Sequence, residues 1–228
     1  MGICIYYQGT LRDLSQLPQL VARLQTACAR LGWPCYPIDE RILGTAEACE
    51  IERDRDAEGH EASVYRSRRV PVDDRVRGVV IQPPGCETLF LTFGSDGRLV
   101  HYSDVGAGQQ PGHYGLIVDH FSVKTQFSSP AIHMQVCELL RLVEPYMAQW
   151  EVADDGGYWG TWDERVLQET WALYEGLLEA LSQPEALEAT LRKAGVDIEI
   201  TEPPEVGKIL RETPPPWRKE WGISAGDN

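Results

Sequence analysis

Asparagine occurs only at the last position, Asn228, and lysine is scarce beside arginine. That bias fits a GC-rich genome or a moderate thermophile, and the plentiful glutamine counts against the second. Positive charge is short as well: 21 Lys and Arg face 35 Asp and Glu, for a net charge of −14. A chain this acidic is not expected to hold nucleic acid or an anionic membrane. No apolar run approaches the ~20 residues of a membrane span. The first residues read as carrying no secretory signal. Position 6 is Tyr6, where a myristoylation signal needs Ser or Thr. The six cysteines, at 4, 28, 35, 49, 86 and 137, form no CxxC pair, which excludes a zinc knuckle or a thioredoxin motif. They read as reduced thiols of a cytoplasmic protein, with Cys28 and Cys137 on apolar helix faces. Catalytic signatures are missing too. The glycine-rich stretch at 106–115 is no phosphate loop, Gly207-Lys208 lacks its other elements, and no GxSxG elbow occurs.

What is present is one build used twice. Residues 3–7 read as a strand. Ser15 then caps a helix carrying Leu17, Leu20, Val21, Leu24, Cys28 and Leu31 at helical spacing; Gly32 ends it, and a strand returns at 35–38. Residues 121–127 alternate like a half-buried strand. Ser128 and Ser129 offer caps, Pro130 suits the first helical position, and Ile132, Val136, Leu139, Leu140, Val143 and Met147 make the stripe. Pro145 stops that helix, and 150–152 returns as a strand. Gln8 and Gln126 hold matching places. The repeat predicts one α/β domain over 1–182. Its sheet is mostly antiparallel with two β-α-β units, ferredoxin-like or related, and the helices lie side by side on one face.

Further strands are expected at 77–82, 88–93 and 98–102, the last two joined by the tight turn Gly94-Ser95-Asp96-Gly97. Residues 45–77, crowded with both charges and without a period, predict a charged excursion with an edge strand at 62–72. Asp163 caps a third helix. A short helix at 184–194, a late strand at 196–200 and a Pro-rich tail with Trp217 and Trp221 make a C-terminal extension over 183–228.

Donor residues concentrate between 101 and 133: His101, Asp104, His113, Asp119, His120 and His133. Their spacing matches no ligand pattern, HExxH included, so neither a metal nor a cofactor is expected. Lys124 and Gln126, two apart, share a strand face, and His133 lies in the first turn of the following helix. Free N–H groups there favour anions, which points to a carboxylate or phosphate; an exposed face with an ordinary ion pair explains the same residues. The loop at 154–163 joins Asp154, Asp155 and Asp163 to Tyr158, Trp159 and Trp162. Acids beside aromatic walls suit a sugar or a cation, and paired carboxylates suit acid–base work. Capping by Asp163 and a turn at Asp155-Gly156 account for two of those acids.

The run KTQF from Lys124, SPxxH ending at His133 and GGYW ending at Trp159 resembles a group of uncharacterised bacterial proteins. The resemblance implies no activity and adds weight to Lys124, Gln126, His133, Tyr158 and Trp159, the expected ligand-binding set. Two functions follow. The first is an acidic binding or protein-interaction module for a small molecule or a basic protein. The second is a hydrolase with a polar site around Lys124 and the GGYW loop. A homodimer is compatible with either.

Overall fold

The computed structural model describes residues 2–55, 61–103 and 111–182. The chain divides into two compact units, Met1–Ala172 and Leu173–Asn228. The first carries everything that follows. The expected elements at 184–194 and 196–200, the Pro-rich tail and Asp104 lie outside the described residues.

Strand β1 (Cys4–Leu11) buries Ile5 and Tyr7 and exposes Tyr6 between them, the period of two that its sequence alternation requires. A 3-10 turn (Leu14–Gln16) follows. Its cap is Asp13, whose Oδ1 accepts the Ser15 N–H at 2.8 Å; Ser15, expected as the cap, donates its hydroxyl to Asp13 instead. Helix α1 (Leu17–Leu31) buries Leu17, Leu20, Leu24 and Cys28, and Gly32 closes it in the left-handed conformation at φ 71°.

The expected excursion at 45–77 is a correction. Strands β2 (Cys35–Arg55) and β3 (Glu61–Ile81) pair antiparallel along their full length, from Cys35 opposite Ile81 to Arg55 opposite Glu61. Charge pairs accompany this pairing. Glu47 stands opposite Arg69, and diagonal pairs join Arg41 to Asp73 at 3.0 Å and Arg75 to Asp39 at 2.6 Å. Val72 and Val76 are buried at spacing four on one face, but charges of both signs interrupt the pattern, so the period is hard to read.

β4 (Leu89–Phe93) pairs with β3. After the expected tight turn come β5 (His101–Ser103), β6 (His113–Tyr114), β7 (Leu116–Val118) and β8 (Phe121–Lys124). Helix α2 (Pro130–Val143) ends in a 3-10 turn (Glu144–Tyr146) at Pro145. β9 (Met147–Asp154), a one-turn helix α3 (Tyr158–Thr161) and α4 (Glu164–Ser182) complete the described chain, the unit boundary falling within α4.

Among the described residues the strands group as β8-β1-β9, β4-β3-β2-β6 and β5-β7. This is an α/β fold with mostly antiparallel strands; the β2–β6 contact is parallel. β8 and β9 both run antiparallel to β1 and therefore parallel to each other, so β8-α2-β9 is a β-α-β unit with β1 inserted between its strands. The first expected unit differs, because β1 and β2 belong to different sheets. The segment after the tight turn joins those sheets: Leu99 N–H donates to Gly9 O at 2.9 Å and Val100 N–H to Thr92 O at 2.9 Å. The Tyr7 hydroxyl adds a clamp, donating to Phe90 O at 2.9 Å and accepting Phe90 N–H at 3.1 Å. α1 packs against α2, β2 and β3. No helix among the described residues is long and apolar enough to cross a membrane.

Asp74 holds the tight turn. Its carboxylate accepts Ser95 N–H at 2.8 Å, Arg75 N–H at 2.7 Å and the Tyr102 hydroxyl at 2.9 Å. Partial burial works against ionisation, yet these donors outweigh it and hold Asp74 below the usual carboxylate range. A depressed folded pKa contributes stability that is present above the unfolded value and lost as pH falls through the folded one. Asp74→Ala should lower the urea midpoint at pH 7 by the equivalent of roughly 1 kcal/mol. Midpoints measured from pH 7 to pH 3 should show the gap from wild type narrowing below about pH 4.

Candidate functional site

The register of the three-stranded sheet sorts residues between its two faces. Ser122, Tyr6 and Ala153 form one row, Lys124 and Cys4 a second, Gln8 and Glu151 a third, all on one face. Val123, Ile5 and Asp154 form a row on the other, where Ile5 and Val123 are fully buried.

α2 lays a polar cluster on this buried face. The Ser129 hydroxyl caps the helix, accepting Ile132 N–H at 3.3 Å, and Pro130 fills the first turn. That start places His133 and Cys137 one turn apart on the same helix face. His133 Nδ1 lies 2.8 Å from Thr125 Oγ1, and Nε2 lies 3.1 Å from Asp154 Oδ1. The Thr125 hydroxyl donates to Ile3 O at 3.3 Å. With Nδ1 engaged by Thr125, Nε2 is the ring nitrogen that faces the carboxylate. Nε2 is fully buried and meets no partner in hydrogen-bond geometry.

Asp154 is fixed from its other side, accepting Gly156 N–H at 2.7 Å and Trp159 N–H at 2.9 Å. Burial opposes its ionisation; neighbouring His133 and these two amides outweigh that and hold its pKa low. Burial pushes the Cys137 thiol far up, with Asp154 and Glu138 adding to the effect. Gly156 closes over the imidazole. A Cβ there would stand 2.7 Å from Leu167 Cδ1 and 3.0 Å from His133 Nε2, so a side chain at this turn would force Leu167 to shift. Trp171 sets its ring edge-on to His133, centroids 6.1 Å apart at 82°. His133, Cys137 and Asp154 offer donor atoms that all lie within 4.8 Å of one another, a set able to hold a metal ion.

The five residues expected to bind ligand fall into two groups. Lys124 and Gln126 do converge, but on Gly2, where a Cβ would fall 2.4 Å from Lys124 Cε and 2.2 Å from Gln126 Oε1. Lys124 Nζ sits 4.9 Å over the Phe127 ring. His133 lies on the opposite face, linked through Asp154 to α3. Tyr158 is buried, and Tyr158 and Trp159 pack on Trp162 at 5.1 and 5.6 Å. The Arg141 guanidinium lies 5.2 Å over Trp159 and 4.8 Å over Trp162, so the aromatic loop seats on α2. Because β8 and β9 are parallel, both groups lie at the same end of the sheet. Asp163 caps α4 through Arg165 N–H at 2.9 Å, as its position suggests.

The other histidines disperse. His101 stacks on Phe90 at 4.4 Å, His113 meets Thr45 Oγ1 at 2.9 Å, and exposed His120 pairs with Asp119 at 2.8 Å. Thr125 and Cys137 escape a reading based on candidate motifs. The signal for the second was the spacing of four from His133 on one helix.

The open face carries a cleft of about 550 Å³ lined by Tyr6, Gln8, His120, Ser122, Glu151 and Ala153, among others. A second hollow of about 210 Å³ shares Gln8 and Glu151 with it and extends to Asp119, Arg98 and Trp150. Gln8 Nε2 donates to Glu151 across the shared wall.

Comparison with protein-family models, with curated proteins and with solved structures found no match.

Gly156→Ala should destabilise the protein by about 1–3 kcal/mol through overpacking. Leu167→Ala in the same chain should relieve part of that loss, because it removes the nearest clashing atom. Urea midpoints of the two single variants and the double variant measure the coupling; strict additivity would place the strain elsewhere.

Proposed function

We propose that this chain is a binding module that takes a basic ligand or a basic segment of a protein partner on the open face of the β8-β1-β9 sheet. The observation that carries the reading is Glu151, the carboxylate common to both hollows, on the same sheet face as Tyr6 in a protein of net charge −14. Carboxylate and aromatic faces together suit a cation that is both paired and stacked. Asp119 adds a second acid at the far hollow. Long-range attraction from the acidic chain favours encounter with a basic partner.

Burial supports binding over hydrolysis. A hydrolase would draw on Thr125, His133 and Asp154, a hydroxyl, an imidazole and a carboxylate in line. Thr125 is 0% exposed, and the side chains of His133 and Asp154 are 0% and 2% exposed, out of reach of a substrate.

Fluorescence anisotropy of the full chain with a labelled Arg- and Lys-rich peptide tests the reading. Binding should weaken as salt rises. Glu151→Gln should reduce affinity about five- to tenfold, while Glu169→Gln on α4 should leave it unchanged. Absence of binding, or equal loss in both variants, would overturn the proposal.

A further inference from the structure

The buried cluster has a feature that neither packing nor the binding cleft explains. An imidazole nitrogen with no hydrogen-bond partner is sealed 3.1 Å from a carboxylate oxygen, and a cysteine completes the group from the same helix face. A buried polar atom left without a hydrogen bond is costly. A cation held by both groups removes that penalty.

We infer that His133 Nε2, Cys137 Sγ and Asp154 Oδ1 bind one zinc ion. The donor set is the first argument. Imidazole nitrogen, thiolate sulfur and carboxylate oxygen are zinc ligands, whereas magnesium and calcium take oxygen alone. Geometry is the second. Two metal–ligand bonds of about 2 Å span 3.1 Å at an angle of roughly 100°, near tetrahedral, and the three donor atoms already lie within 4.8 Å of one another. Orientation is the third. Thr125 Oγ1, 2.8 Å from Nδ1, holds the ring with Nε2 turned toward Asp154 and Cys137. The amides of Gly156 and Trp159 aim the carboxylate, and Gly156 keeps side-chain atoms away from Nε2.

Charge is the fourth argument. On binding, the Cys137 thiol releases its proton to solvent, and the thiolate and carboxylate together carry two negative charges. These balance the dication beside a neutral imidazole, so the filled site is electroneutral, the condition under which burial is least costly. Enclosure of all three donors assigns the ion a structural task, tying α2 to the end of β9, with Thr125 linking the site to the end of β8.

The test uses full-length protein purified without a histidine tag. Elemental analysis should give about one zinc per chain. Replacement with cobalt(II) should produce a sulfur-to-cobalt charge-transfer band in the near ultraviolet, which requires a cysteine ligand. Cys137→Ser should abolish that band, and Cys4→Ser should retain it. Thr125→Val should weaken zinc binding about 10- to 100-fold, as loss of an orienting partner does. His120→Ala should leave the stoichiometry unchanged. If Cys137→Ser does not fold, the cobalt spectrum of the wild type and of Thr125→Val still decides the matter. A wild-type chain that takes up no zinc at saturating concentration, with a thermal midpoint indifferent to zinc and chelator, would overturn the inference. Metal bound without the cobalt–sulfur band would also overturn it.

Discussion

The pairing of β1 with two strands at once is the constraint on which the rest depends. β8 meets one edge of β1 and β9 the other, and both run against it. That arrangement makes β8 and β9 parallel, and a helix of α2's length then spans from one to the other. It also fixes which side chains share a face. Ile5 draws Val123 and Asp154 to the buried side, while Cys4 draws Lys124 to the open one. The separation of Lys124 from His133 is thus decided by backbone register, before any side-chain preference acts.

A second consequence is that β1 belongs to both halves of the fold. Its N-terminal part pairs with β8. Farther along, Gly9 and Leu11 pair with the segment around Leu99, which in turn meets β4. Tyr7 sits at the junction, its hydroxyl bonded twice to Phe90 while its ring stacks on Phe121 at 5.5 Å. Burial of that hydroxyl is tolerated because donor and acceptor capacities are both used. Burial also drives its pKa far above the usual tyrosine value.

Helix positions were legible because their signals are local. Ser129-Pro130, Gly32 and the apolar stripes act within a few residues, and α1 and α2 begin and end close to where those residues place them. The tight turn at Gly94–Gly97 was readable for the same reason. The long arms of β2 and β3 were hidden because charges of both signs crowd their sequence, and the few buried residues such as Val72 and Val76 are too sparse to mark a period. The cluster around His133 was hidden differently. Its spacing within α2 is visible, but Asp154 joins only through the pairing of β9 with β1, and Thr125 only through the turn after β8. Of the expected binding residues, the sequence could place Lys124 beside Gln126. It could not show that the sheet would stand between them and His133.

The order of the chain gives the same pairing a temporal meaning. β1 leaves the ribosome well before its partner β9, which ends at Asp154. At synthesis rates of about 5–20 residues per second, the emerging β1 waits roughly 7 to 30 seconds for that partner. Until β8 and β9 have both emerged, Ile5 and Tyr7 lack a completed sheet, whereas β2 and β3, neighbours in sequence, are free to zip together. The nascent protein therefore holds a formed hairpin and an unmated apolar strand at once. That interval, more than the finished fold, is where association with a chaperone or with another nascent copy competes with folding.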